Sequence, residues 1–119
     1  MKHLTTKIVA VSCLVFLTAS CMPTTKTLYS WGDYEKASYE YTKDPSDKNT
    51  QKLHKCFDQM ESKQKGTRKT VPPGICAEKA YLLVKQGKTD EALAMLDKEI
   101  KLYPESKPFI EKIKKQITQ

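Results

Sequence analysis

The chain has 119 residues, 29% of them charged, with a formal net charge of +7. That length is a prior for one domain with a single modest core. The basic excess suits nucleic acid, an anionic membrane surface or plain solubility, but the lysines are interleaved with Glu and Asp. Their densest surplus is Lys107, Lys112, Lys114 and Lys115 against Glu111, and no nucleic-acid recognition motif accompanies it.

Residues 1–7 are short and positive, and Ile8 to Ala19 then run apolar, broken only by Ser12, Cys13 and Thr18. Those 12 residues match a signal-peptide core and fall short of the roughly 20 that a membrane-spanning helix needs. The following Thr18-Ala19-Ser20-Cys21 resembles the bacterial lipobox, in which small side chains precede a cysteine. Ala19 and Ser20 fit it, and Thr18 stands where Leu is usual. The resemblance implies cleavage after Ser20, a diacylglycerol on the Cys21 sulfur and an acyl group on the new N-terminus. Several acyl chains, each burying CH₂ groups at about 0.8 kcal/mol, anchor near-permanently. Met22 follows Cys21, not the Asp that retains such proteins at the inner membrane, so the expected location is the periplasmic face of the outer membrane. Lys2 and Lys7 leave with the leader, and the mature part carries +5.

Three regions follow: a leader over 1–20, a lipidated tether over 21–30 and a helical domain over 31–119. A first helix spans Asp33 to Lys43, ended by Asp44-Pro45 because the residue before Pro is driven from the α region. Ser46 is placed to cap a second helix with Asp47 in its first turn and Leu53, Cys56, Phe57 and Met60 as its apolar stripe. Gly66 reads as its C-terminal stop. Thr67 to Gly74, with Val71-Pro72-Pro73-Gly74, is a rigid connector. The third helix runs from about Cys76 to Gln86 with Ala80, Leu83 and Val84 inward, and Gly87 ends it. Thr89 caps a fourth helix, Asp90 to Tyr103, whose inward set is Ala92, Leu93, Leu96 and Ile100. Pro104 stops it, and Ser106 and Pro108 begin a fifth carrying Phe109, Ile110, Ile113 and Ile117. Five helices and no strand make an all-α fold of antiparallel hairpins.

Gly87-x-Thr89-x-x-Ala92-x-x-x-Leu96, then Ile100 and Pro104, resembles the second half of a tetratricopeptide repeat, with Ala80 where that motif wants a small residue. Gly32-Asp33-Tyr34-Glu35-Lys36-Ala37-x-x-x-Tyr41 has the same spacing, 55 residues upstream and so off the period of 34. Glu99 departs from the pattern, standing where a small residue is usual. The mature chain also resembles a family of small bacterial lipoproteins known only as a domain of unknown function. The resemblance is carried by Tyr29-Ser-Trp-Gly-Asp-Tyr-Glu-Lys-Ala37, Val71-Pro-Pro-Gly74 and Tyr103-Pro-Glu-Ser106. Such proteins tend to be encoded beside lipoproteins resembling the curli secretion channel, which implies an envelope assembly.

With Cys13 removed and Cys21 lipidated, Cys56 and Cys76 remain. An even pair in an oxidising compartment suggests a disulfide, worth about 3 kcal/mol for a loop of roughly 20 residues. The alternative is two buried thiols acting as small apolar residues. Catalysis has little to stand on: His54 reads as a surface residue, and there is no nucleophile elbow, phosphate-cradling loop or zinc spacing. Tyr29, Trp31, Tyr34, Tyr39 and Tyr41 crowd five aromatics into 13 residues. Tyr34, Ala37 and Tyr41 share one helical face, whereas Tyr29, Trp31 and Tyr39 cannot all do so. Those three either staple the tether to the domain or form a partner-binding patch.

The expected function is therefore a non-enzymatic outer-membrane adaptor or subunit of an envelope assembly, with a curli-channel-like lipoprotein as a candidate partner. No nucleic acid, small-molecule substrate, metal or cofactor beyond the covalent lipid is expected. The rival readings are a pilotin-like chaperone for an outer-membrane channel and a cell-wall enzyme or its activator.

Overall fold

The computed structural model describes Met1 and residues 26–119, so the rest of the leader, Cys21 and the start of the tether lie outside the described residues. The described residues form five α-helices in order: α1 (Tyr34–Lys43), α2 (Asp47–Ser62), α3 (Ile75–Lys85), α4 (Thr89–Leu102) and α5 (Lys107–Thr118). A 3₁₀ turn, Pro104–Ser106, joins the last two, and no strand occurs among the described residues. The fold is all-α. In space α1 packs on α2, α3 on α4 and α4 on α5, with α2 and α3 meeting in the middle.

Each helix boundary has a local cause. At the end of α1, Asn49 of α2 donates its amide to the Asp44 carbonyl (2.9 Å), past the helix end, and adds a second donor at 3.3 Å to the Glu40 carbonyl, which already accepts the Asp44 N–H. Gly87 (φ 74°) ends α3: its N–H reaches the Val84 carbonyl at 2.9 Å and the Lys88 N–H reaches Leu83 at 3.0 Å, the paired bonds of a Schellman turn. The expected caps differ in detail. Ser46 occupies the N-cap of α2 with an extended backbone but makes no side-chain capping bond, and Thr89 is the first residue of α4, behind Lys88.

The core has two parts that share α3. One surrounds Phe57 (0% exposed) with Ala37, Leu53, Met60, Val71, Ile75 and Leu82, and includes Cys56 and Cys76. The other joins Ala80, Leu83, Ala92, Leu96 and Ile110. Ala80 and Ala92 are both fully buried, so two small residues let α3 and α4 approach while Leu96 fills the seam. Because α3 serves both clusters it is apolar on two sides, which a single inward stripe of Ala80, Leu83 and Val84 understates: Ile75, Cys76 and Leu82 are buried too. On α5 only Ile110 is buried, and Phe109, expected inward, is 65% exposed. Of the two readings of the cysteine pair, the structure has the second: Cys56 and Cys76 are free, buried thiols that pack as apolar side chains of the Phe57 cluster.

Gly66 does not stop α2, which ends four residues earlier at Ser62. It is buried, and a Cβ on it would lie well inside 3.0 Å of the backbone of Leu28 and Tyr29. Glycine is used here for close approach of two chain segments. The N–H groups of Thr67 and Arg68 donate to the carbonyls of Thr27 and Leu28, both at 3.1 Å. The Gln64 amide bonds the Ser30 backbone in both directions, through the Ser30 N–H and the Ser30 carbonyl. The turn closes from the Lys69 N–H to the Gly66 carbonyl at 3.1 Å, with Lys69 held at φ 55°, where a side chain is disfavoured. The end of the tether is thus part of the fold. Gly66→Ala should cost about 1–3 kcal/mol by overpacking this contact, measured as a lower urea midpoint at unchanged slope. An unaltered midpoint would contradict the close approach.

Candidate interaction site

The connector between α2 and α3 is gripped from α4. Val71 and Pro72 are buried. The Tyr103 hydroxyl, just past the end of α4, donates to the Val71 carbonyl at 2.5 Å and lies 3.5 Å from the Tyr29 hydroxyl. Glu99 of α4, 2% exposed, accepts the Gly74 N–H on Oε1 at 2.7 Å. Gly74 is the N-cap of α3 at φ 91°, so the carboxylate meets the positive end of the helix dipole. Its Oε2 is buried with no hydrogen-bond partner among the described residues. The three stretches that carried the family resemblance (around Tyr29, Val71–Gly74 and Tyr103) are therefore one contact set.

Electrostatics follow from burial and from that carboxylate. The Cys76 thiol is pushed up to about 11, first by burial and then by Glu99, and burial followed by Asp33 raises Cys56. Both thiols stay protonated at neutral pH, which makes them poor nucleophiles and metal ligands. Burial first, then the Tyr29 hydroxyl and the Glu99 charge, hold Tyr103 far above the usual phenol range. Tyr34 donates to the Glu78 carboxylate, tying α1 to α3; burial and that bond push it up to about 12.

A second polar cluster links three helices. Glu61 of α2 pairs with Lys79 of α3 at 2.7 Å and with Lys98 of α4 at 2.5 Å, and Lys79 also reaches Asp58 at 2.8 Å. Glu61 and Lys79 are mostly shielded, with side chains 17% and 15% exposed, so the pairing outlasts ordinary salt screening. His54, read as a surface residue, is half-buried: its Nε2 lies 3.2 Å from Gln86 Oε1 and its ring stands edge-on to Phe57. Among the described residues no group of three or more His, Cys, Asp or Glu is arranged to hold a metal ion, and no helix is long and apolar enough to cross a membrane.

The aromatic residues divide between two roles. Tyr29 is half-buried in the contact set just described. Trp31 and Tyr39, 45% and 60% exposed, line a groove of about 550 Å³ along α1 with Tyr34, Glu35, Ser38 and Thr42. The Trp31 and Tyr34 rings lie 5.5 Å apart, and Lys43 Nζ sits 4.6 Å over the Tyr39 ring. Tyr34 backs this groove while its ring packs on Phe57, 6.0 Å away, so the groove rests directly on the core. Helical spacing shows which aromatics of α1 face together. It does not reveal that Tyr29 is drawn away by Tyr103, 74 residues later.

Taken together, these features define an all-helical domain with a clamped proline connector and an exposed aromatic groove. The chain belongs to the family described as Domain of unknown function (DUF4810), whose model matches residues 28–113. No curated protein and no solved structure matches it.

The Glu61 cluster makes stability pH-dependent in a stated direction. Burial pushes the Glu61 carboxyl up, but the Lys79 and Lys98 ammonium groups outweigh it and bring it below its ordinary 4.5. A carboxyl depressed in the native state supplies stability above its unfolded value and loses it as pH falls through the native one. Unfolding free energy should therefore drop on acidification below about pH 4.5, and less steeply in Glu61→Gln. Urea titrations across that range measure it; identical acid slopes in the two proteins would refute the coupling.

Proposed function

We propose that this protein is a non-enzymatic lipoprotein of the outer membrane, held at the periplasmic face through acyl groups on Cys21. It acts as an adaptor or subunit of an envelope assembly. Its helical hairpins, tetratricopeptide-repeat-like in the Gly87–Leu96 spacing, offer the α1 groove to a segment of another envelope protein. A lipoprotein like the curli channel is the class of partner suggested by the family resemblance. The observation that carries the reading is the groove itself: Trp31 and Tyr39 are large and exposed, and Trp31 rests on Tyr34, which packs on Phe57; such residues supply much of an interface's energy. Anchoring would confine protein and partner to one surface, so a shallow groove can suffice.

Radioactive palmitate should label the wild-type protein and not Cys21→Ser. A photoreactive residue at Trp31 or Tyr39 should crosslink in cells to the same envelope protein, and one at exposed Lys48 on α2 should not. Labelling that survives Cys21→Ser removes the anchor, and failure of both groove positions to crosslink removes the adaptor role.

A further inference from the structure

The charge of this molecule is segregated in a way that its composition hides. Residues 26–32 and 62–77 contain no Asp or Glu and carry Lys26, Lys63, Lys65, Arg68 and Lys69. After Ser20 the remaining 14 basic residues are matched by all 14 acids, so these two segments hold the whole excess of the chain beyond the leader. The fold brings them together: Thr67 and Arg68 pair with Thr27 and Leu28, and Gly66 presses on Leu28 and Tyr29. All five cations are exposed, and none forms an ion pair with a described residue. The C-terminal lysines, denser by eye, are partly spent, with Lys114 paired to Asp97 at 2.7 Å and Glu111 at 3.6 Å.

Apolar surface accompanies this charge. Leu28, 58% exposed, lies within the paired segment, and Trp31 shares a hollow of about 230 Å³ with Lys63 and Lys65. Exposed Trp and Leu ringed by Lys and Arg suit the boundary between phosphate headgroups and acyl chains. The position relative to Cys21 selects a membrane over other anionic partners. Five peptide units separate Cys21 from Lys26, a reach of at most about 18 Å. Because residues 27–30 are pinned to the domain, no other face is held so near the attachment point.

We propose that this basic face, formed by the tether end and the α2–α3 connector, lies on the bilayer surface. Its cations sit on anionic phospholipid headgroups, and Leu28 and Trp31 sit at the level of the headgroups. The inference rests on the Cys21 anchor proposed above. It gives the anchored domain one orientation, with Trp31 on the rim shared by the two surfaces, lining the basic hollow beside Lys63 and Lys65 on one side and the α1 groove on the other, and with the Tyr39 end of that groove left to the partner.

Trp31 is the single tryptophan and reports the contact directly. The test uses full-length lipidated protein reconstituted into phosphatidylcholine vesicles, with or without phosphatidylglycerol, carrying plain or brominated acyl chains. Flotation of the vesicles reads the anchor separately from Trp31 emission. In anionic vesicles Trp31 emission should shift to the blue and be quenched by the brominated chains. The quenching should be lost in neutral vesicles, at salt on the order of 0.5 M, and in the Lys63→Gln, Lys65→Gln, Arg68→Gln, Lys69→Gln variant with unchanged circular dichroism. The salt titration needs no variant. Protein that floats with the vesicles but shows equal Trp31 emission in anionic and neutral lipid overturns the proposal and leaves the anchor standing. Protein that does not float, and takes up no palmitate, overturns both.

Discussion

Glu99 places a carboxylate where 2% of the residue meets solvent and holds it with the N–H of Gly74, 25 positions earlier, at 2.7 Å. Burying an ion costs several kcal/mol unless something in the fold answers it. Here the answer is the start of α3: one N–H, the dipole of that helix, and a glycine at φ 91° that turns the connector into position. The contact works in both directions. Without Glu99 the first turn of α3 loses its acceptor, and without the connector in place the carboxylate has nothing to bind. Tyr103 reinforces it four residues on by donating its hydroxyl hydrogen to the Val71 carbonyl. Val71 and Pro72 are thereby held in the core although they belong to a loop.

Much of the remaining structure depends on that grip. The two apolar clusters are small, and α3 is their common wall, so fixing its start fixes how they meet. Glu61, Lys79 and Lys98 then tie α2, α3 and α4 together on the side of the seam, and Tyr34 ties α1 to α3 through Glu78. The connector, once immobile, gives residues 27–30 a rail to pair with. That pairing collects the unbalanced positive charge on one face and leaves Trp31 between that face and the α1 groove.

The helices were legible in the sequence because their causes are local. The stripe Leu53, Cys56, Phe57, Met60 is buried as its spacing demands, and Gly87 and the Pro104 break act at their expected places. What escaped depends on partners far along the chain. Gly66 resembles a helix stop in composition, and only the arrival of Leu28 reveals that it serves close packing. Glu99 breaks the repeat resemblance because its position is taken by a bond to Gly74, which no periodicity encodes. Phe109 follows the apolar stripe of α5 but faces outward because the helix packs on α4 along one edge, through Ile110. The two cysteines are separated by a spacing compatible with a disulfide, but both are absorbed into the Phe57 cluster as thiols. Of the candidate aromatics, the crowding was visible and its division was not: Tyr29 is claimed by Tyr103, which leaves Trp31 and Tyr39 to the groove.

The lipid-anchored adaptor role proposed above requires a rigid surface whose direction relative to the tether is set, and the clamp at Gly74 is the feature that would set it. Native-state hydrogen exchange at the Gly74 amide tests this most directly. If Glu99 holds the connector, that amide exchanges as slowly as the core amides of α4 around Leu96, and its protection disappears in Glu99→Leu. A Gly74 amide that exchanges at the rate of an open loop in the wild-type protein, with Leu96 still protected, would contradict the account.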